Sequence, residues 1–363
     1  MTRTPALAEP AAWDAFVAEN ALGSYLQRTA WARVKAANGW TSARVVAGGA
    51  TPIGAQVLLR RPRPLPWAFA YAPRGPVATA WTAESLGAFT EALRSAPLGR
   101  VSHVRIDPEV ERDGPLDPGG ALRRSLAAAG WRPASPIQPP STRVIDLAPD
   151  EEALWGDLRK KWRQYVNKAR ANGVTVVELP GDPIVPFYAI YRETAARAGF
   201  LIRVEQAYRD VWEAYRPSGD ATILFAVDPA GTPQAALFLV RTGGRVVEPY
   251  GGMTGQGADL RANYLLKWEA IRRAREAGAA TYDLWGLANP GIAHFKTGFG
   301  GREVRFVGAW DLVLSELGRQ VYLTAQRVRV IRARRRAGLA AAGAPGLAGG
   351  DESTRAGVET DAG

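Results

Sequence analysis

The chain carries one order of elements twice, and this duplication restricts its fold more than any other feature. In the first half, residues 44–60 (RVVAGGATPIGAQVLLR) form two β-rich runs around a Gly/Thr/Pro turn. Residues 222–241 (TILFAVDPAGTPQAALFLVR) do the same, and the Thr-Pro of the turn recurs as Thr51-Pro52 and Thr232-Pro233. Each pair leads into a strand that ends on tyrosine and glycine, Tyr71-Ala-Pro-Arg-Gly75 and Tyr250-Gly-Gly252. Helical segments follow at 82–95 and 258–277, and then strands that close on an acid, Val104-Arg-Ile-Asp107 and Thr281-Tyr-Asp283. The offset between matching positions drifts only from 181 residues at the turns to 176 at the acids. Two similar mixed α/β domains account for this order. The length of 363 residues agrees, because a single core stops growing at roughly 250–300 residues.

The other elements fit around that frame. Gln27–Asn38 reads as a helix stopped by Gly39, and Trp13–Glu19 as a short one entered through Pro10. A single helix is expected over 150–172, with Leu154, Trp155, Leu158, Trp162, Tyr165, Val166 and Ala169 on one face and Asn172-Gly173 as its stop. Helices near 184–198 and 205–215 precede the second repeat. The last helix, 315–336, spaces Leu317, Val321, Thr324, Val328 and Ile331 by fours and threes, a stripe suited to docking. Beyond it, 337–363 is rich in Ala and Gly, poor in large apolar residues, and expected to be disordered.

Charge is concentrated rather than spread. The net charge is +11. Arg159, Lys160, Lys161, Arg163, Lys168 and Arg170 lie on one face of the 150–172 helix, with no acid between Leu158 and Val177. Arg319, Arg327, Arg329, Arg332, Arg334, Arg335 and Arg336 crowd the last helix. Two such clusters suit phosphate-rich partners: nucleic acid, a nucleotide-linked substrate or an anionic membrane surface. A solvated helix face is the plain alternative for each.

Composition removes much catalytic chemistry. With no cysteine, disulfides, thiol nucleophiles and thiolate metal sites are excluded, and two histidines make a zinc centre or a Ser-His-Asp triad unexpected. No apolar run reaches the roughly 18 residues of a membrane span, and no signal-peptide pattern is seen, so a cytoplasmic setting is expected. Walker A, GxGxxG, GxSxG and HExxH patterns are all missing. The pyrophosphate signature of ordinary acetyl-CoA-dependent transferases is matched by Arg275-Glu-Ala-Gly278-Ala-Ala280 and Arg335-Arg-Ala-Gly338-Leu-Ala340. Both fall at helix C-termini, where glycine is an ordinary cap, so both are rejected. What remains is a set of residues costly for packing alone. Lys296 precedes the turn Gly298-Phe-Gly-Gly301. Asp107 closes a strand before Pro108, where a carboxylate can face a cleft or cap a turn. Lys35 stands on a helix whose apolar face is Trp31 and Val34, so its position alone makes it solvated. Arg203 and Tyr208 lie between two helices.

These residues carry a resemblance. The chain resembles the FemABX family of tRNA-dependent peptidoglycan aminoacyltransferases, from about Tyr25 to Arg336. Matching segments include Leu26-Gln-Arg-Thr-Ala-Trp-Ala-Arg-Val-Lys35, Tyr71-Ala-Pro-Arg-Gly-Pro76, Arg105-Ile-Asp-Pro108 and Lys160-Lys-Trp-Arg163. The strongest are Tyr250-Gly-Gly252, Asn263-Tyr-Leu-Leu-Lys-Trp-Glu269, Tyr282-Asp283 and Phe295-Lys-Thr-Gly-Phe-Gly-Gly301. The resemblance implies two tandem GNAT-like α/β domains with mixed sheets, here 1–147 and 148–314, the first completed by the C-terminal helix 315–336. The interval from Gly173 to Phe187 leaves no room for the long helical arm of some members.

The resemblance also implies an activity: aminolysis of an aminoacyl-tRNA ester, carrying glycine, alanine or serine, by the side-chain amine of the third stem-peptide residue. The ester is already activated, so no enzyme nucleophile, cofactor or metal is required. Lys35, Arg203, Tyr208, Tyr250 and Phe295 would hold the muramyl-peptide precursor, whether the soluble UDP-MurNAc-pentapeptide or its lipid-linked form. Lys296 would face the ester, and Asp107 would orient the amine. Their charge, rather than the resemblance, sets the six cations from Arg159 to Arg170 against the tRNA backbone and the last helix against an anionic inner membrane surface, with tRNA as the rival partner of that helix. A monomer is favoured. The family tyrosine can stand at the position of Ala207, next to Tyr208. A CoA-dependent N-acyltransferase, a tRNA-dependent transferase acting on protein N-termini and a non-catalytic RNA-binding module are the competing expectations.

Overall fold

The computed structural model describes residues 6–49, 51–287 and 290–336; the expected disordered tail 337–363, and with it the second rejected signature, lies outside them. The chain divides into two compact units, one running to Pro140 and resuming at Phe306, the other formed by Ser141–Arg305.

The first unit contains α1 (Pro10–Glu19), α2 (Thr29–Ala36), β1 (Thr41–Ala47), β2 (Ile53–Arg60), β3 (Ala68–Ala72), β4 (Val77–Ala78), α3 (Ala83–Ser95), β5 (Val101–Ile106), α4 (Ala121–Ala128) and β6 (Trp131–Ala134). The second contains β7 (Ser141–Asp146), α5 (Glu151–Asp157), α6 (Lys160–Ala171), β8 (Thr175–Val177), α7 (Ile184–Ala198), α8 (Glu205–Tyr215), β9 (Ala221–Val227), β10 (Pro233–Thr242), β11 (Arg245–Met253), α9 (Gly255–Asp259), α10 (Ala262–Glu276), β12 (Thr281–Asp283), α11 (Pro290–Thr297) and β13 (Arg302–Arg305). The chain then re-enters the first unit as β14 (Ala309–Val313) and α12 (Glu316–Arg336).

The repeat is real at the level of sheet topology. The first sheet runs β1-β2-β3-β5-β14-β6, with β4 also on β2, and the second β13-β7-β12-β11-β10-β9-β8. In each, antiparallel strands lead to one parallel pair, β3 with β5 and β11 with β12, across which a helix must cross over. Those helices are α3, fixed by a capping box between Thr82 and Ser85, and α10, stopped by Gly278 at φ +73. Gly278 is thus an ordinary cap. The β9–β10 turn is tied by Asp228, whose carboxylate accepts from the amides of Ala230 and Thr232 at 3.0 and 2.9 Å.

The unit boundaries differ from the expected 147/148 and 314. β7 pairs with β12 and β13 in the second sheet, and β14 inserts between β5 and β6 in the first. Each sheet therefore takes a strand lying beyond the expected boundary, which hydrophobic periodicity cannot reveal. The 150–172 helix is also two helices. Residues Leu158 and Arg159 leave the helix, the Arg159 amide donates to Gly298 O at 3.0 Å, and α6 starts afresh.

α12 docks by a face other than the expected stripe. Leu317 is 65% exposed, and Val328 and Ile331 are exposed too. The docking face is instead Gly318, in contact with Trp67 and Ser102, and Tyr322, stacked on Phe69 at 4.6 Å. Arg319 Nε reaches Asp311 Oδ2 at 3.2 Å, and the same buried carboxylate accepts from Arg105 Nε at 2.7 Å. One acid thus joins β5, β14 and α12. Removing it strands two cations, of which Arg105 is buried. Asp311→Ala should therefore cost about 3–5 kcal/mol of stability, read as a lower urea midpoint; a loss below about 1 kcal/mol would show that the cluster is not what holds α12.

Candidate active site

The candidate residues of the second unit are distributed by a β-bulge. On β10, Phe238 pairs with Tyr250 and Val240 with Val247, so Glu248 and Pro249 together oppose Leu239. Proline lacks the N–H that a regular ladder needs and is tolerated at a bulge. In a regular strand Glu248 and Tyr250 would share a face. Here they part. Glu248 meets Lys267 of α10, whereas Tyr250 packs on the α7–α8 face, 5.1 Å from Tyr208 and 5.9 Å from Phe238 between ring centroids. The β11–β12 pairing covers only Arg245–Val247 with Thr281–Asp283. From the bulge onward, then, β11 has no strand on that side among the described residues.

On the α7–α8 face the structure brings together Arg203, Tyr208 and Tyr250, and adds Tyr191. The Arg203 amide donates to the Tyr208 hydroxyl at 3.2 Å, and Tyr191 lies 5.5 and 6.2 Å from Tyr208 and Tyr250. Burial, reinforced by the neighbouring hydroxyls, pushes Tyr191 and Tyr208 well above the ordinary tyrosine range, while Arg203 opposes this. Both phenols stay protonated and can donate hydrogen bonds. Tyr208, rather than the small buried Ala207, supplies the hydroxyl here. Tyr191 is missed by sequence reading because, within Tyr188-Ala-Ile-Tyr191, it looks like one more aromatic of a helix face.

Where β12 ends, Lys296 is held in a different way. It lies in the last turn of α11, so His294-Phe295-Lys296 is helical and the glycine turn begins after it. Its Nζ donates to the carbonyls of Gly286 at 2.9 Å and Trp285 at 3.3 Å, and no carboxylate pairs with it among the described residues. Trp285 takes φ +58, a region bulky residues avoid, and its amide donates to Asp283 Oδ1 at 2.7 Å. Loss of water brings the Lys296 ammonium down to about 8. Glu248 pulls it upward, Lys267 pushes it further down and Asp283 pulls it upward. Near neutral pH such a lysine exchanges its proton readily, as acid–base work requires. Phe295 packs edge-on against Tyr264 and Phe299 at 5.1 and 5.2 Å, and its carbonyl accepts from Trp162 Nε1 at 3.0 Å.

The first unit holds Lys35 and Asp107. Lys35 is 3% exposed, with Nζ 4.6 Å from the Trp31 ring centroid, so the solvated position read from the helix pattern is corrected. Asp107 is buried and accepts from Tyr71 Oη at 2.7 Å, Arg74 N at 2.6 Å and Gln138 N at 3.3 Å. Burial raises it to about 6, against the Arg74 charge and these three donors. Its first duty is to set the turn after β3, where Arg74 adopts φ +56.

The cations of the 159–170 segment are not equivalent. Arg163 Nη1 donates to the carbonyls of Gly156 and Leu158 at 2.6 and 2.8 Å, closing the end of α5. Arg170 pairs with Glu269 at 3.1 Å, an acid of α10 that reading the segment by itself could not bring near. Arg159 lies 3.4 Å from His294 Nδ1, and Lys161 sits over Tyr165. Lys160 and Lys168 are exposed, with no partner among the described residues.

Comparison with known proteins bears on the fold that carries these residues. The acetyltransferase (GNAT) domain family matches residues 156–297, and the FemAB family matches residues 9–113. A lipid II:glycine glycyltransferase of Staphylococcus aureus strain MRSA252 is 24% identical over 387 aligned positions, covering 84% of this chain and 91% of its own length. The crystal structure of FemX superposes with a TM-score of 0.79 at 22% identity, over 86% of this chain and 98% of that one. The C-terminal domain of a lysylphosphatidylglycerol synthetase from Agrobacterium fabrum gives a TM-score of 0.52 at 14% identity, over 88% of this chain and 97% of that one. The fold is α/β, built from two mixed sheets of the GNAT type. Over most of its length the chain is thus similar to proteins of the FemABX family.

Gly298 tests how the lysine is held. A Cβ there would overlap the Trp162 indole. Gly298→Ala should displace that ring, break its bond to Phe295 O and cost about 1–3 kcal/mol. Altered tryptophan fluorescence with a lowered melting temperature is the expected reading, and an unchanged spectrum would contradict it.

Proposed function

We propose that the protein is an aminoacyltransferase that moves glycine, alanine or serine from aminoacyl-tRNA to the side-chain amine at the third position of a peptidoglycan-precursor stem peptide. The observation that carries this reading is Lys296, a cation held, among the described residues, by two carbonyls and no carboxylate, and able to shed its proton near neutral pH. The glycyltransferase relatives, aligned over most of both chains, support the same chemistry.

In aminolysis the acceptor nitrogen attacks the ester carbonyl, the carbonyl electrons move onto oxygen, and the ribose oxygen departs as the tetrahedral intermediate collapses. The nitrogen must lose a proton and the ribose oxygen must gain one. Lys296 as free amine takes the first proton, and as ammonium it can return one or stabilise the oxyanion. Arg203 with Tyr191, Tyr208 and Tyr250 is assigned to the precursor: a cation for its diphosphate and protonated hydroxyls for its polar groups. Lys35 is assigned to the same substrate. Asp107 acts by positioning the Tyr71–Arg74 turn, since its oxygens already accept three donors. Lys296→Ala should lower turnover at least about a hundredfold, the scale of a lost oxyanion donor, with the melting temperature retained. Mass spectrometry of products from charged tRNAs with soluble or lipid-linked precursor, protein N-termini or acetyl-CoA reads it. Transfer from acetyl-CoA alone, or near-normal turnover by the variant, would overturn the proposal.

The tRNA backbone is assigned to Arg159, Lys160, Lys161 and Lys168, with Arg163 and Arg170 mainly bracing helices. The exposed apolar residues of α12, together with Arg327, support contact with an anionic leaflet. Reversing Lys160 and Lys168 to Glu should flatten the dependence of log affinity for tRNA on log salt by about 1.4–1.8, at roughly 0.7–0.9 for each of two phosphates no longer neutralised. An unchanged slope in filter binding would remove those two lysines from the interface.

A further inference from the structure

Beneath Lys296 lies a charged pair to which the proposed reaction assigns no part. Lys267 is 2% exposed and Glu248 5%. Lys267 Nζ stands 2.5 and 2.6 Å from the two Glu248 oxygens, and the buried Tyr282 hydroxyl donates to Glu248 Oε2 at 2.8 Å. The same ammonium lies 5.6 and 5.7 Å from the ring centroids of Phe295 and Phe299, which flank Lys296 in the sequence. It is therefore sandwiched between a carboxylate of β11 and the aromatic turn that carries the lysine.

Stability is a poor reason for such a pair, since apolar residues of equal volume commonly serve as well or better. The bulge at Glu248-Pro249 and the placing of Lys267 within the apolar run Tyr264-Leu-Leu-Lys-Trp268 are specific arrangements around one neighbour. We propose that Glu248 and Lys267, with Tyr282, form a buried positioning pair that fixes the Phe295–Phe299 turn and governs when Lys296 gives up its proton. This rests on the role proposed for Lys296 and deepens it, by naming the residues that regulate that site.

Among the described residues, the groups facing Lys296 are few. β11 contributes Glu248. Lys267 comes from α10, and β12 supplies Asp283, itself bonded to Arg245 and Thr142. The Trp285 and Gly286 carbonyls come from the following loop. His294, on its own helix, is turned toward Arg159 and Trp162. Glu248 and Lys267 thus act on Lys296 with opposite signs. Glu248 favours the ammonium and Lys267 disfavours it. That opposition gives a signature no purely structural role would produce.

The test is competitive labelling of Lys296 with trace acetic anhydride across pH, read by mass spectrometry, alongside the pH–rate profile for aminoacyl transfer. Glu248→Gln leaves Lys267 unopposed, so Lys296 should deprotonate more easily and label about 3–5-fold more at pH 7, a shift of half to one unit. Lys267→Met leaves Glu248 unopposed, and labelling should fall by a similar factor. The acidic limb of the rate profile should move with labelling, downward in pH for the first variant and upward for the second. The double variant leaves no charge unpaired, should fold even where a single one does not, and should place its limb between the two singles. Limbs that coincide in all folded variants, or move in one direction, overturn the proposal. Labelling needs no turnover, so opposite shifts without aminoacyl transfer would sink the function and keep the pair. Transfer with unmoved limbs would do the reverse.

Discussion

The bulge opposite Leu239 is the constraint on which the second unit's candidate site depends. A β-strand sends residues two apart to the same face, and an uninterrupted β11 would place Glu248 and Tyr250 side by side. The extra residue sends Glu248 to α10 and Tyr250 to the α7–α8 face. The strand therefore serves two surroundings at once, with a buried acid paired to a lysine of α10 on one side and a phenol in an aromatic cluster on the other. Beyond the bulge β11 is free of β12, so that edge of the strand has no partner strand among the described residues. Proline at 249 adds a second barrier to regular pairing because it offers no ladder donor.

The duplication was legible because it survives as residue types at turns and strand ends. Thr51-Pro52 and Thr232-Pro233, Tyr71 and Tyr250, Asp107 and Asp283 fall at comparable places in two sheets with one parallel pair each. What the sequence hid was strand membership. β7 and β14 are short runs between turns, and pairing at long separation leaves no local trace. The break at Leu158–Arg159 was hidden for a related reason. The apolar stripe continues through it in phase, and the acceptor that takes up the Arg159 amide, Gly298 O, comes from over a hundred residues away in the chain.

Cations show the same limit. Lys35 and Lys296 are both lysines on short helices, and a pattern argument would leave both in water. Burial sets Lys35 apart from the six of the 159–170 segment, two loop carbonyls set Lys296 apart, and bonding partners then sort those six. Arg163 answers the open carbonyls at the end of α5, Arg170 answers Glu269, and Lys160 and Lys168 answer nothing within the described protein. A run without acids is thus only a set of candidates. One signal for the buried pair was present: Lys267 interrupts an apolar helix face, where an unpaired charge would be intolerable, so an acid had to lie across from it.

A carboxylate beside Lys296 would make a stable ion pair and a poor base. The structure avoids this by giving the lysine two neutral carbonyl acceptors and placing the acid one step away, already engaged by Lys267 and Tyr282. Asp283, the other nearby acid, is engaged by Arg245 and Thr142. Each negative charge near the lysine is thus satisfied by another donor before it can hold the proton there. An ester substrate brings its own leaving group, so what is needed from the protein is a group that accepts a proton from an amine and can return it to an oxygen. In the aminolysis proposed above, a lysine kept between its two charge states would meet that need without cysteine, catalytic histidine or triad.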